Sequence, residues 1–437
     1  MQWVDLLLIT NPQGPHILVL EEDAGWTLPY PSPREDHFWQ SVGPVNRAAA
    51  QLGYSVTTLR CLGIIDDVQA DQLHCYYALE LRGDSPSPAP GHHWLAADDL
   101  PQAPLVSAEQ RIMMTAWLAG IPTQVPWYTP GYASAVETWA TEALLALGRK
   151  VNRSIEQVRS WERGALWHLP TNTGAVYIKA VPAVFHHEPA LSAQLAAWLP
   201  GRTAPVFAYD PRRGLFIMED IGAHSLADTR DPLVWRAAMR RFAELQIALT
   251  ERADELLVLG VPDRRLSQLP AWLDELAFDE LALRGSAVGL SDDEIDALRA
   301  RRIRLRQACV ELTTSSVPAS LEHGDFSPSQ VLLGVHGPAV VDWSDSSLTH
   351  PFLSMGFLAE PSAPLPDVSD PVAWVRQAYL EPWQQFASRN ELQDLLTAAL
   401  ELAPLHHALI YHRAILPGLE NRWEMERMLP YYLRLLV

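Results

Sequence analysis

Two short apolar runs, Val331 to Leu333 and Ala339 to Val341, are joined by Gly334-Val335-His336-Gly337-Pro338. Aliphatic flanks around a glycine- and proline-bearing joint predict a hairpin of two short strands. A hairpin returns its two ends to one place. It therefore carries Asp342, just past the second strand, back toward Gln330, just before the first, and toward Asp325 in the preceding segment His323-Gly324-Asp325-Phe326-Ser327-Pro328-Ser329. Phosphoryl transfer asks a protein for positioning and charge neutralisation rather than covalent chemistry. One carboxylate orients an attacking hydroxyl, and oxygen ligands hold Mg²⁺ against the phosphates. Asp325, Gln330 and Asp342 are spaced for those tasks. His323 is expected to organise the loop by hydrogen bonds rather than to carry a proton, and Asp345 suits a structural turn as well as a second metal.

Lysine usage adds a second constraint. Lys150 and Lys179 are the only lysines among 33 basic residues. Lys179 lies in Ala175-Val176-Tyr177-Ile178-Lys179-Ala180-Val181, whose alternation predicts a strand with Ala175, Tyr177 and Lys179 on one face. The preceding Thr171-Asn172-Thr173-Gly174 is turn chemistry. Glu188 follows at the predicted start of a helix, where the adjacent His186 and His187 read as polar residues of the helix start rather than metal ligands.

These residues resemble the aminoglycoside phosphotransferase and choline kinase superfamily, whose pattern is H-G-D-x-x-x-x-N, a strand, then I-D-W. The resemblance covers residues 150–437 and departs at Gln330, where the family pattern has asparagine. It implies a bilobal protein-kinase-like fold with a mostly helical C-lobe and a transfer of the γ-phosphate of ATP or GTP, with Mg²⁺, to a hydroxyl of a sugar, amino sugar or amino alcohol. Carried over residue by residue, Asp325 is the catalytic base, and Gln330 and Asp342 hold the metal. Lys179 grips the phosphates and Glu188 sets it. In the segment Gly214-Leu215-Phe216-Ile217-Met218-Glu219-Asp220-Ile221-Gly222, Glu219 and Ile221 offer main-chain groups to the base, with Met218 behind it. A protein kinase is a poorer match: Gly324 stands where that family has arginine, and Pro351 closes the room for a long activation segment. Because Gln330 is longer than asparagine, a catalytically silent nucleotide-binding or sensing protein is the alternative.

Residues 1–120 read differently. Strands at Val4 to Thr10 and His16 to Glu22, Trp26-Thr27-Leu28-Pro29, a helix-like stretch through Val45 to Tyr54 and a late His93-Trp94 resemble a Nudix domain, implying an α/β/α sandwich. The working box R-E-U-x-E-E-x-G is here Asn46, Arg47, Ala48, Ala49, Ala50, Gln51, Leu52 and Gly53. Without its glutamates the segment lacks the anionic oxygens a hard cation needs, so no pyrophosphohydrolase activity is expected. Residues 121–150 form a proline-rich connector and a helix whose stripe Val136, Trp139, Ala140, Ala143, Leu144 and Leu147 must bury against something, closed by Gly148. Ser134 with Glu137, and Ser291 with Glu294, read as capping boxes. The small lobe is expected over 151–222, with two strands about Glu162 to Ala165, and the large lobe over 223–437.

The 437-residue length suggests two or three domains. A net charge of -19 argues against nucleic acid and anionic membranes as partners, leaving a nucleotide and a small hydroxylated substrate. The run Arg299 to Arg306 reads as a solvated helix face. Cys61, Cys75 and Cys309 form no metal-type pair, and no signal or membrane-spanning stretch is visible, so the expected compartment is the reducing cytoplasm.

Overall fold

A computed structural model of the chain describes residues 2–32, 34–67, 71–83, 87–286, 288–359 and 364–437. The chain divides into two compact α+β units, Met1–Ala180 and Val181–Val437. The division falls inside the segment read above as one small lobe.

The first unit is built on a mixed sheet. Its strands are β1 (Gln2–Thr10), β2 (His16–Glu22), β3 (Gly25–Thr27), β4 (Val56–Asp67), β5 (Gln72–Leu81) and β6 (His92–Ala96), in the order β3-β2-β1-β5-β4 with β6 also on β2. β1 and β5 run parallel, in register from Gln2 opposite Gln72 to Thr10 opposite Glu80. Parallel strands are covered on both faces. Accordingly, Leu6 and Leu8 pack with Met114 of helix α2 (Ala108–Leu118), while the alternate residues Leu7 and Ile9 are fully buried on the other side. Helix α1 (Gly43–Gln51) packs on β1 and β4.

Helix α3 (Tyr132–Ala146) and the antiparallel strands β7 (Glu156–Trp161), β8 (Gly164–Leu169) and β9 (Val176–Ala180) complete this unit. Of the α3 stripe, Val136, Ala140 and Leu144 are buried while Leu147 is exposed, and it is the polar Glu137 that links the first 120 residues to the strands that follow. Its carboxylate accepts the Ile155 N–H (2.9 Å) and pairs with Arg82, which donates to the Ile155 carbonyl (3.1 Å). This corrects the expected Ser134–Glu137 capping box. The helix begins at Tyr132 behind left-handed Gly131, so Ser134 is already inside it and Glu137 is engaged elsewhere. Gly148, also left-handed, ends it as expected.

Two bulges hold β4 against β7. Leu59 drops out of the β4–β5 ladder and Val158 out of the β7–β8 ladder. The Gln157 amide then acts as a piece of strand, donating to the Thr58 carbonyl (2.8 Å) and accepting the Thr58 N–H (3.0 Å). Asn46 joins it, donating to Gln157 (3.0 Å) and accepting from the Thr58 hydroxyl (2.7 Å). The Ser160 hydroxyl donates to the freed Leu59 carbonyl (2.9 Å). Gln157→Leu leaves these buried groups unanswered, and urea denaturation is expected to show a loss of about 3 kcal/mol.

The second unit starts with helix α4 (Glu188–Trp198) and the antiparallel pair β10 (Val206–Asp210) and β11 (Leu215–Glu219). Helices then dominate: α5 (Pro232–Ala248), α6 (Ala253–Val258), α7 (Leu269–Ala277), α8 (Glu280–Arg284) and α9 (Asp292–Thr313). The strands β12 (Ser320–Glu322), β13 (Val331–Gly334), β14 (Gly337–Val340) and β15 (Ser347–Thr349) follow, then α10 (Pro371–Leu380), α11 (Arg389–Ile410), the single turn α12 (Leu416–Gly418) and α13 (Met428–Arg434). The face of α5 read from the sequence is buried at Trp235, Ala238, Phe242, Leu245 and Leu249. The Ser291–Glu294 capping box on α9 is present. The arginine run on α9 is not merely solvated: Arg299 pairs with Glu280 (2.8 Å), Arg302 with Asp274 (3.0 Å) and Arg304 with Glu401 (2.9 Å), which lie on α8, α7 and α11. No described helix is long and apolar enough to cross a membrane.

Candidate active site

The expected hairpin forms as β13–β14, with Val331 opposite Val340 and Gly334 opposite Gly337. Its joint is three residues shorter than the sequence suggested, because Gly334, Gly337 and Pro338 belong to the paired strands and leave Val335-His336 as the turn. The Val341 N–H donates to the Gln330 carbonyl (3.0 Å), which places Gln330 and Asp342 at the open end of the hairpin.

His323 ties that end to Asp325. The Asp325 N–H donates to Nδ1 of the ring (3.3 Å), so the ring proton sits on Nε2, which donates to the Val341 carbonyl (3.0 Å). One imidazole thus links the residue before Asp342 to Asp325. It is fully buried against Trp343, ring centroids 4.8 Å apart, and burial lowers its pKa, keeping the ring neutral. On the other side of Asp325, Phe326 stacks on Phe242 of α5 at 4.0 Å. The backbone of Asp325 is held from both directions while its side chain is exposed.

A buried layer supports this loop. Glu322, fully buried, accepts the Gly324 N–H (2.7 Å), the Ser354 hydroxyl (3.2 Å) and His406 Nε2 (3.1 Å). Burial alone pushes its pKa up, but the hydrogen bond and charge of His406, the nearby His407 and the Gly324 N–H outweigh it and pull the value to about 2. Gly324 is left-handed, with φ of +81°, and a Cβ there would stand 2.2 Å from the Asp345 carbonyl oxygen. That carbonyl accepts from Arg264 (3.0 Å), and Asp345 itself is buried.

Asp342 is one of the few non-glycine residues in the left-handed region, with φ of +65°. The Ser344 hydroxyl lies between two carboxylates, 3.0 Å from Asp342 and 2.7 Å from Glu188, the first residue of α4. A single hydroxyl proton serves one of them at a time. Glu188 is almost wholly buried.

The segment beyond β11 is fastened to the same hairpin. Met218, opposite Val206, and Glu219 end β11, and all three of Met218, Glu219 and Ile221 are half-buried. The Glu219 N–H donates to the Pro205 carbonyl (2.8 Å), so the group it can offer a ligand is its carbonyl. Past Ile221, the Leu333 N–H donates to the His224 carbonyl (2.8 Å). Lys179 lies in the first unit, half-buried on β9 opposite Leu166, and keeps its assignment from the sequence pattern.

Within the second unit, therefore, Asp325, Gln330, Asp342 and Glu188 are linked through His323, Val341 and Ser344. Sequence reasoning missed Ser344, Glu322 and His406. Ser344 follows Asp342 by two residues and could have been weighed as a carboxylate's partner, whereas nothing local announces a contact between Glu322 and His406.

The buried titratable groups predict acid lability. Burial lowers the pKa of His350 to about 3 and of His407 to about 4. Unfolding frees both rings to bind protons from about pH 6.5 down, so each costs about 1 kcal/mol of stability per pH unit until its folded value is reached. Glu322 has the opposite chemistry and the same direction: its stabilisation is full above about pH 4.5, the unfolded value, and is lost as pH falls through about 2. Urea unfolding of the whole chain between pH 7 and 5 is expected to show the midpoint of the second unit falling, and His350→Phe is expected to flatten the slope.

No protein-family model matches the chain. No curated protein matches it. Among solved structures, the chain is similar to the gentamicin complex of APH(2")-IIa at 15% identity, over 69% of this chain and 95% of that one, with a TM-score of 0.49. It is similar to a choline/ethanolamine kinase family protein from Mesorhizobium loti at 16% identity, over 69% and 93%, with a TM-score of 0.47. A third is a Plasmodium vivax ethanolamine kinase at 12% identity, over 64% and 80%, with a TM-score of 0.46.

Proposed function

We propose that this chain is a small-molecule phosphotransferase with a protein-kinase-like fold, moving the γ-phosphate of ATP or GTP to a hydroxyl of a small acceptor. The observation that carries the reading is the His323 ring, which joins Asp325 to the base of the Gln330–Asp342 hairpin. An exposed carboxylate on an immobile backbone suits a group that must orient a hydroxyl. In the transfer, the acceptor oxygen forms a bond to the γ-phosphorus, the bond to the β-phosphate bridging oxygen breaks, ADP or GDP leaves, and the hydroxyl proton passes to Asp325.

The donors present suit Mg²⁺ held jointly with nucleotide phosphates, since that ion commonly takes one or two protein carboxylates and fills its other positions with phosphate oxygens and water. Asp342 and the amide oxygen of Gln330 would be its protein ligands, and when bound it would neutralise phosphate charge. The Ser344 hydroxyl restrains the Asp342 carboxylate. We assign Glu219 and Ile221 to the nucleotide base with Met218 beside it, and Lys179, set by Glu188, to the phosphates. In the first 120 residues we assign no hydrolytic role to the Nudix-like box, because Arg47, Ala50 and Gln51 stand where its glutamates would be.

The metal assignment is tested by calorimetric titration with ATP, with and without Mg²⁺. Asp342→Ala is expected to abolish the Mg²⁺-dependent part of the affinity. Gln330→Asn, which shortens the side chain by one methylene, is expected to keep that part or strengthen it. Affinity that is independent of Mg²⁺ in the unaltered protein would count against the assignment.

A further inference from the structure

Beside Asp325 the second unit contains a cavity of about 140 Å³. Its wall includes Phe326 and Phe357, Ala403 and Pro404 from α11, and His407 and Tyr432. Pockets for drug-sized ligands usually span roughly 300–1,000 Å³, so this one takes a single compact group.

Its charge is equally restrictive. Among the described residues that line it, the carboxylates are Asp325 and Glu322. Glu322 is already satisfied by Gly324, Ser354 and His406. Asp325 is the group assigned to the reacting hydroxyl. His407 lies near neutral imidazole at pH 7, since burial lowers its pKa to about 4. A cation seated in the cavity would lose water without gaining a carboxylate of its own. Aromatic faces can replace a carboxylate for a quaternary ammonium. Here Phe326 has one face stacked on Phe242 at 4.0 Å, and Tyr432 has one stacked on His407 at 4.9 Å.

We propose that this cavity receives the hydroxyl-bearing arm of the acceptor, and that the acceptor is a compact, uncharged alcohol. The inference rests on the phosphotransfer reading above for the role of Asp325, and it narrows that reading against the amino sugars and amino alcohols that family resemblance and net charge favour.

The test uses two alcohols of nearly the same shape, 3,3-dimethylbutan-1-ol and its charged counterpart choline, titrated into the full chain saturated with a non-hydrolysable ATP analogue. Saturation-transfer NMR is expected to show the neutral alcohol bound at least about tenfold more tightly. Leu435 lines the rim and is half-exposed, so Leu435→Glu should fold normally and shift the preference toward choline by about tenfold. Equal affinities, tighter choline, no binding of either, or an unchanged preference in Leu435→Glu would overturn the proposal. Phosphate transfer is measured in parallel. A neutral preference with no alcohol phosphorylated would contradict the phosphotransfer reading while sustaining the ligand class of the cavity. Transfer with choline preferred would do the reverse.

Discussion

Asp325→Ala is expected to abolish phosphate transfer, lowering kcat by about 10³-fold or more, while nucleotide affinity stays within about twofold of the unaltered protein. The split follows from position. Asp325 is exposed at the cavity, its backbone pinned by the neutral His323 ring on one side and by the Phe326–Phe242 stack on the other. Removing its carboxylate takes away the group proposed to orient the hydroxyl but leaves the hairpin and the Ser344 link between Asp342 and Glu188 intact. Asp325→Asn keeps the shape without the basicity and should be nearly as slow. Single-turnover measurements with saturating ATP check both variants. Loss of nucleotide affinity in Asp325→Ala would instead place that carboxylate in the phosphate or metal site.

Gly324→Ala is the second large effect, and its cause is steric. A left-handed residue with a side chain is strained, and here the added carbon would stand 2.2 Å from the Asp345 carbonyl oxygen, closer than any real contact. The carbonyl is not free to move, because Arg264 holds it (3.0 Å). The loop must therefore move, and with it the Gly324 N–H that answers buried Glu322. Strain and the weakened bond together are expected to cost about 3–5 kcal/mol, read as a fall in the unfolding midpoint. Displacing Asp325 by about 1 Å should also slow transfer about 100-fold in the fraction that stays folded. Gly324→Ala with unaltered stability would show that the close approach of the two loops is wrong.

These effects separate what was legible in the sequence from what was not. The Asp325, Gln330 and Asp342 spacing was legible because a hairpin is a local object: its turn residues and apolar flanks lie within a dozen positions, and closing it necessarily returns Asp342 to Gln330. The α5 stripe and the Ser291–Glu294 cap were legible for the same reason. The Ser134–Glu137 reading failed because a capping pattern is only an offer. Gly131 started the helix earlier, and Glu137 met a better use at Ile155 and Arg82. Contacts made at long range carried no local mark. Glu322 and His406 stand 84 residues apart, and each alone reads as an ordinary polar residue. The same holds for Gln157, whose amide completes a ladder with Thr58 only because bulges opened one. Glycine 324 lay in between. The motif marked its position, but the reason for it, the Asp345 carbonyl, comes from a part of the chain that only folding brings near.

The loop and hairpin of the second unit are proposed to serve phosphate transfer. Phosphorus-31 NMR of the full chain with Mg-ATP and a panel of small alcohols tests this role most directly. A new phosphate-ester resonance growing in step with ADP is expected for at least one alcohol, and none with Asp325→Ala. Tight binding of Mg-ATP with no ester formed on any alcohol in the panel, or an ester formed equally well by Asp325→Ala, would contradict it.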